Sequence, residues 1–267
     1  MTTDASTRRA IVVIGGIAVA IETSDEAFLR LVVGRYAGFI DAAKPPDYEF
    51  AIDLAAGPDA VAGADLRVFR NGRRWHIGRG DFSAQWDPVT RRGRIRQSAN
   101  PYSIDAVLRI VHTLVLAREG GFLMHAASAI RDGKAVVFAG ISGAGKTTLS
   151  RLAPSDATLL TDEISYVRRG ADGYDAYGTP FAGELAKAGE NLSAPLGAVY
   201  LLAQGRQNRI ETLGEAEAVR GLMRNILFFA EDAELVRAVF RSAIELVERV
   251  PVRRLTFVPD ASVWESI

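Results

Sequence analysis

The chain contains no cysteine, no surplus of either charge and no long uninterrupted apolar run. Without thiols it can form no disulfide, no thiolate zinc site and no cysteine nucleophile. That composition suits a reducing compartment, so a cytoplasmic location is expected. Lysine plus arginine and aspartate plus glutamate stand at 32 each, which leaves no excess to displace counterions, and nucleic acid is not an expected partner. Two segments are locally basic, Arg70–Arg79 and Arg91–Arg96. The apolar run Ala10–Ile21 falls short of the ~20 residues that cross a bilayer. It follows Arg8 and Arg9, as a secretory signal would, but passes into the acidic amphipathic stretch "ETSDEAFLRL" without a small-residue cleavage site. A buried strand pair is expected there, and no membrane association. The 3 histidines are scattered, which disfavours a histidine-rich metal site. His76, in a basic hairpin, and His112, on a helix, read as structural.

What is present is ordinary globular material: 267 residues, 48% apolar and 24% charged, enough for one large domain or two modest ones. The expected class is mixed α/β, with a β-rich domain over 1–99 and a second domain over 100–267. In the first, "RAIVVIGG" and "IAVAIE" form a hairpin through Gly15-Gly16. "SDEAFLRLVVGRY" is a helix capped by Ser24, and "YEFAID" alternates as a strand. Asn71-Gly72 marks a tight turn between Leu66–Arg70 and Arg73–Ile77. This half shows no catalytic constellation; recognition of an acceptor is its expected role. A long helix follows over Asn100–Gly120, with Ser103 as its cap and an apolar stripe from Ile104 to Val115. Beyond it "FLMHAASAI" and "AVVFAG" are strands around "RDGK", and the tail gives two helices and a closing strand.

"VVFAGISGAGKTTLS" carries the chemistry. Gly140, Gly145, Lys146 and Thr147 satisfy G-x-x-x-x-G-K-[ST], with a strand before and a helix after. In such a loop glycines let main-chain N–H groups face phosphate oxygens. The lysine reaches the β and γ phosphates and the threonine hydroxyl binds magnesium. The expected nucleotide contacts are Gly140, Ser142, Gly143, Ala144, Gly145, Lys146, Thr147 and Thr148, with ATP and Mg²⁺ as cofactors. Sixteen residues after Lys146 the run "ATLLTDE" ends in Asp162 and Glu163 at a strand tip. One carboxylate could hold Mg²⁺ and the other take a proton from an incoming hydroxyl. His125, on the strand before the loop strand, could stand near the γ-phosphate. "YGTPFAGE" could wall an acceptor site, with Glu184 a candidate metal or substrate contact.

Taken in order, "MHAASA", "GISGAGKTTLS", "LLTDEISYV" and "TPFAGE" resemble the catalytic domain of HPr serine kinase/phosphorylase, and more closely the related bacterial kinases that include lasso-peptide precursor kinases. The resemblance covers roughly Asn100 to Leu202. It implies a phosphoenolpyruvate-carboxykinase-like nucleotide core and transfer of the ATP γ-phosphoryl group to a serine or threonine hydroxyl of a peptide or small protein. By position, Asp162 matches the acid/base aspartate, Glu163 the neighbouring metal-site acid, and His125 the histidine near the transferred group. The pair is Asp-Glu where the bifunctional enzymes have Asp-Asp. Their arginine-glycine signature has no counterpart here, "YGTPFAGE" occupying its place, so phosphorolysis, HPr as substrate and their hexameric assembly are not implied; a homo-oligomer remains an expectation. Arg220 and Arg224 are further candidates for reaching the acceptor. A small-molecule hydroxyl kinase and a non-catalytic nucleotide sensor are the competing readings.

Overall fold

The computed structural model describes residues 8–55, 65–185 and 188–267. Residues 1–7 and 56–64, inside the expected first domain, and 186–187 lie outside the described residues. The chain is mixed α/β and divides into two compact units, Met1–Val111 with Phe229–Asp232, and His112–Phe228 with Ala233–Ile267. The division falls inside the long helix rather than before it: Ser103 and Asp105 bond to Asp81 and Tyr36 of the first unit, and His112 contacts Tyr166 of the second. Among the described residues, no helix is long and apolar enough to cross a membrane.

In the first unit β1 (Arg8–Ile14) and β2 (Ile17–Thr23) form the expected hairpin, with Gly15 and Gly16 both at positive φ. Helix α1 (Glu26–Arg35) is capped by Asp25, whose carboxylate accepts from the Phe28 N–H at 2.8 Å; Ser24 does not cap it. Strands β3 (Tyr48–Leu54), β4 (Arg67–Asn71), β5 (Arg74–Arg79), β6 (Phe82–Asp87) and β7 (Arg92–Gln97) complete a seven-stranded sheet ordered β1-β2-β3-β7-β6-β5-β4. Strand β3 is parallel to both its neighbours, β2 and β7. The β4–β5 turn is Gly72-Arg73, because Asn71 pairs with Arg74. Only Gly72 needs positive φ there, 59°, so the turn sits one residue later than the Asn-Gly signal suggests. One face of the sheet is apolar: Trp75, Trp86, Phe50, Ile77 and Ile95 are buried on it. Each such side chain contributes roughly 1.5–3 kcal/mol.

Helix α2 (Pro101–Glu119) is preceded by Asn100, whose side-chain oxygen accepts from Tyr102 N–H at 2.9 Å. Ser103 lies within the helix and donates instead to Asp81 at 2.9 Å.

The second unit is built on β8 (Gly121–Arg131), which runs through the turn Asp132-Gly133, both at positive φ, into β9 (Lys134–Ala139). Helix α3 (Lys146–Arg151) follows, then β10 (Thr158–Thr161), β11 (Ile164–Arg169), β12 (Tyr174–Tyr177), β13 (Ser193–Gln204) and β14 (Arg209–Thr212). Helix α4 (Glu215–Met223), β15 (Ile226–Leu227), α5 (Ala233–Arg249) and β16 (Val252–Phe257) close the chain. Strands β8, β11, β12, β13 and β9 pair in a closed ring. In it β9 lies parallel to β13, and β13 parallel to β16. Strands β8 and β9 are apolar on both sides. Met124, Ala126, Val137 and Ala139 join a core with Leu222 and Leu246 from the helices, while Ala127, Ala129 and Phe138 join another with Leu149, Phe257 and Trp264. Continuous apolar runs are what strands covered on both faces require.

Candidate active site

Strand β9 ends at Ala139 and hands the chain to the segment Gly140–Gly145 before α3 begins at Lys146. Gly143 and Gly145 adopt φ of 79° and 106°, left-handed conformations that glycine reaches without a side-chain penalty. A Cβ on Gly145 would also lie 2.5 Å from the Phe257 ring, and one on Gly140 2.6 Å from the Ala144 methyl. The loop is thus specified by packing as well as by φ. Its tip is exposed, including Ser142 and the apolar Ile141, while Ala144 is buried and Thr147 and Thr148 are half-buried. Gln204 donates to the Gly143 carbonyl at 2.7 Å. The Thr147 hydroxyl makes no hydrogen bond with the described residues.

Lys146 is buried, and its ammonium donates to the carbonyls of Gly140 at 2.8 Å and Ile141 at 3.3 Å. Burial lowers its pKa, opposed by the nearby carboxylates of Glu163 and Glu184. Register brings His125 to the same place. Ala126 pairs with Ala139 across the β8–β9 hairpin, so His125 lies one step beyond the end of β9. On the other edge of β8, His125 pairs with Ile164, and the Ala126 N–H donates to the Glu163 carbonyl at 3.1 Å. The His125 Nε2 and Glu163 Oε1 are 3.6 Å apart, each side chain about a third exposed. Burial and the Lys146 charge lower the imidazole pKa, with Glu163 pulling the other way.

Asp162 and Glu163 occupy a break between β10 and β11, which run one after the other along the same edge of β8. Thr161 shapes the break: its hydroxyl oxygen accepts from the N–H groups of Glu163 and Ile164, each at 3.2 Å. Thr179, just before the Pro180 turn, donates to the Ile164 carbonyl at 2.8 Å. The two acids then part company. Asp162 is 4% exposed, and its two carboxylate oxygens accept from Gly183 N–H at 3.0 Å and Leu185 N–H at 2.9 Å. Glu163 is the acid that faces His125 and Lys146. Both flank Gly183, where a Cβ would stand 2.8 Å from Glu163 Oε2 and 3.0 Å from Asp162 Oδ2. A cavity of about 530 Å³ reaches Asp162 along the end of α3, lined also by Ser150, Thr158 and Leu185.

A family model described as "SynChlorMet cassette protein ScmC" matches residues 96–267, well over half of the chain. The chain belongs to the ScmC family. The match takes in the whole of this site and leaves most of the seven-stranded sheet outside it. No curated protein matches the chain.

Of the candidates read from sequence, Lys146, His125, Glu163 and Glu184 converge, and Asp162 adjoins them through Gly183. Arg220 and Arg224 are exposed, and their side chains make no hydrogen bond or ion pair with the described residues. No group of three or more His, Asp or Glu among the described residues is arranged to hold a metal ion. Sequence reasoning missed the role of Thr161, although a Thr directly before an acidic pair between two strands is a known turn former. It also missed that the "AGEL" main chain grips Asp162.

Proposed function

We propose that the second unit transfers the γ-phosphoryl group of ATP to a hydroxyl, most directly a serine or threonine of a peptide or small protein. On this reading it is a nucleotide core of the phosphoenolpyruvate-carboxykinase-like kind that the HPr kinase resemblance implies. The observation that carries the reading is the meeting of Lys146, His125 and Glu163 at the mouth of a G-x-x-x-x-G-K-T loop. The residues suit the ligand. Two glycines at positive φ open main-chain donors, a buried ammonium stands behind them, and the Thr147 hydroxyl is uncommitted. Magnesium would be held by Thr147 and one carboxylate, with phosphate oxygens and water completing its shell.

Bound Mg·ATP supplies the phosphoryl group and offsets its charge; the protein's part is positioning and electrostatics. Main-chain N–H groups of Gly143 to Thr147 hold the phosphates. Two of the three ammonium donors of Lys146 are engaged by loop carbonyls, and the third serves the terminal phosphate. His125 orients the same oxygens by hydrogen bonding. Glu163, the accessible carboxylate, takes the proton of the acceptor hydroxyl as its oxygen bonds to phosphorus and the bridging oxygen departs with ADP. Asp162 positions Gly183–Leu185, and with it Glu184.

Incubation with γ-labelled ATP and separate sets of hydroxyl-bearing peptides and small hydroxyl compounds tests the reading. Label is expected on peptide, with at least a hundredfold loss in Lys146→Met. Label on small compounds alone would reassign the acceptor. The occupied oxygens of Asp162 favour one other reading, a nucleotide sensor, which predicts tight ATP binding with no transfer to any acceptor. Failure to bind ATP would overturn both.

A further inference from the structure

The seven-stranded sheet of the first unit buries one face and leaves the other open across β4, β5, β6, β7 and β3. Register arranges that open face in rows. Arg67, Gly78, Ser83, Arg96 and Asp53 form one, and Phe69, His76, Gln85, Arg94 and Ala51 the next. Apart from Ala51, these residues line a groove of about 680 Å³, within the size range of ligand sites. Phe69 is 45% exposed, and its ring stacks on His76 with centroids 5.2 Å apart and planes 9° from parallel. An exposed aromatic pair in a groove is a platform for an apolar or planar group.

The charges on this face do not cancel. Asp53 is taken by Arg94 at 3.2 Å, Glu49 by Arg92 at 3.0 Å and Asp87 by Arg73 at 3.5 Å. Arg67, Arg96 and, in the adjoining row, Arg74 are exposed and have no acidic partner among the described residues. Among the described lining residues, Asp65 at the rim is the one acid without an arginine partner. The open face therefore offers a guanidinium surplus around an aromatic stack.

We propose that this face docks an extended acidic peptide segment, its carboxylates on Arg67 and Arg96 and an apolar or aromatic side chain on the Phe69–His76 stack. Arginine is suited to this because its planar fork meets a carboxylate through two donors. A nucleic acid fits less well. Its binding rests on neutralising a run of phosphates, and here Glu49 and Asp53 on β3 stand opposite Arg92 and Arg96 of β7. The proposal rests on the phosphotransfer reading only in taking the segment to be part of the acceptor; docking itself requires no nucleotide.

The test is fluorescence anisotropy with the full chain, without ATP. The probes are a fluorescein-labelled peptide of three Gly-Glu-Tyr-Glu repeats, the same peptide with lysine for glutamate, and dodecamers of dT and of adenylate RNA. The acidic peptide is expected to bind, more weakly as salt rises, and at least tenfold more weakly to Arg67→Ala/Arg96→Ala; Phe69→Ala should weaken it severalfold. All three side chains are exposed, and unchanged melting temperatures confirm that the variants fold. Lys146→Met should bind the peptide as wild type does, which separates docking from transfer. Equal binding by the double variant, tighter binding of either oligonucleotide, or no binding of the acidic peptide would each overturn the proposal.

Discussion

Replacing His112 with glutamine should remove a pH dependence that the wild-type protein carries. The imidazole is 1% exposed. Its Nδ1 lies 3.2 Å from the Tyr166 hydroxyl, and its Nε2 has no partner among the described residues. Burial, aided by the Arg168 charge, pushes its pKa from 6.5 down to about 3. The folded chain therefore refuses a proton that the unfolded chain accepts. The sign follows: stability from this group is complete above pH 6.5 and is lost as pH falls through the window from 6.5 to about 3. At about 1.4 kcal/mol per pH unit, the loss between pH 8 and pH 5 is about 2 kcal/mol. Urea denaturation followed by circular dichroism and by fluorescence at both pH values measures it. Carboxylates contribute to both proteins, so the comparison is the difference between pH values in wild type minus that in His112→Gln. A value near 2 kcal/mol is expected. Identical pH dependence in the two proteins would show that the imidazole is not held neutral by burial.

Gly183→Ala places a methyl group 2.8 Å from the Glu163 carboxylate and 3.0 Å from that of Asp162. An overpacking cost of roughly 1–3 kcal/mol is expected in thermal or chemical denaturation, and a loss of up to roughly a hundredfold in phosphotransfer as the acids shift. In the first unit, Asp105 accepts from Arg35 at 2.6 Å and from the buried Tyr36 hydroxyl at 2.5 Å. Asp105→Ala leaves both donors without their acceptor and should cost about 3–5 kcal/mol in denaturation.

Much of the local structure is legible in the residues, because turns and periodicity are local. The "RDGK" turn needs two residues at positive φ, and Asp132-Gly133 supplies them. The glycine loop is legible for the same reason. Long-range pairing is not local, so the parallel contacts of β3 with β2 and β7 leave no mark in the sequence. "RRGRIR" reads as a charge cluster until β7 separates its arginines onto the open face and Ile95 into the core. Strand β13 (Ser193–Gln204) is absent from the sequence reading, although it joins β12, β9 and β16. The acidic pair shows the limit most clearly. Adjacent carboxylates look interchangeable in "TDE", and only the Thr161 turn and the returning Gly183–Leu185 main chain separate their surroundings.

That separation makes the decisive comparison. With labelled ATP and a peptide acceptor whose free hydroxyl takes up the label, Glu163→Gln and Asp162→Asn should differ in kind. Glu163→Gln should bind ATP normally and lose at least a hundredfold in kcat, while Asp162→Asn should lose less in kcat and more in KM through its loosened loop. Full activity in Glu163→Gln, with transfer abolished in Asp162→Asn and its ATP affinity unchanged, would contradict the account.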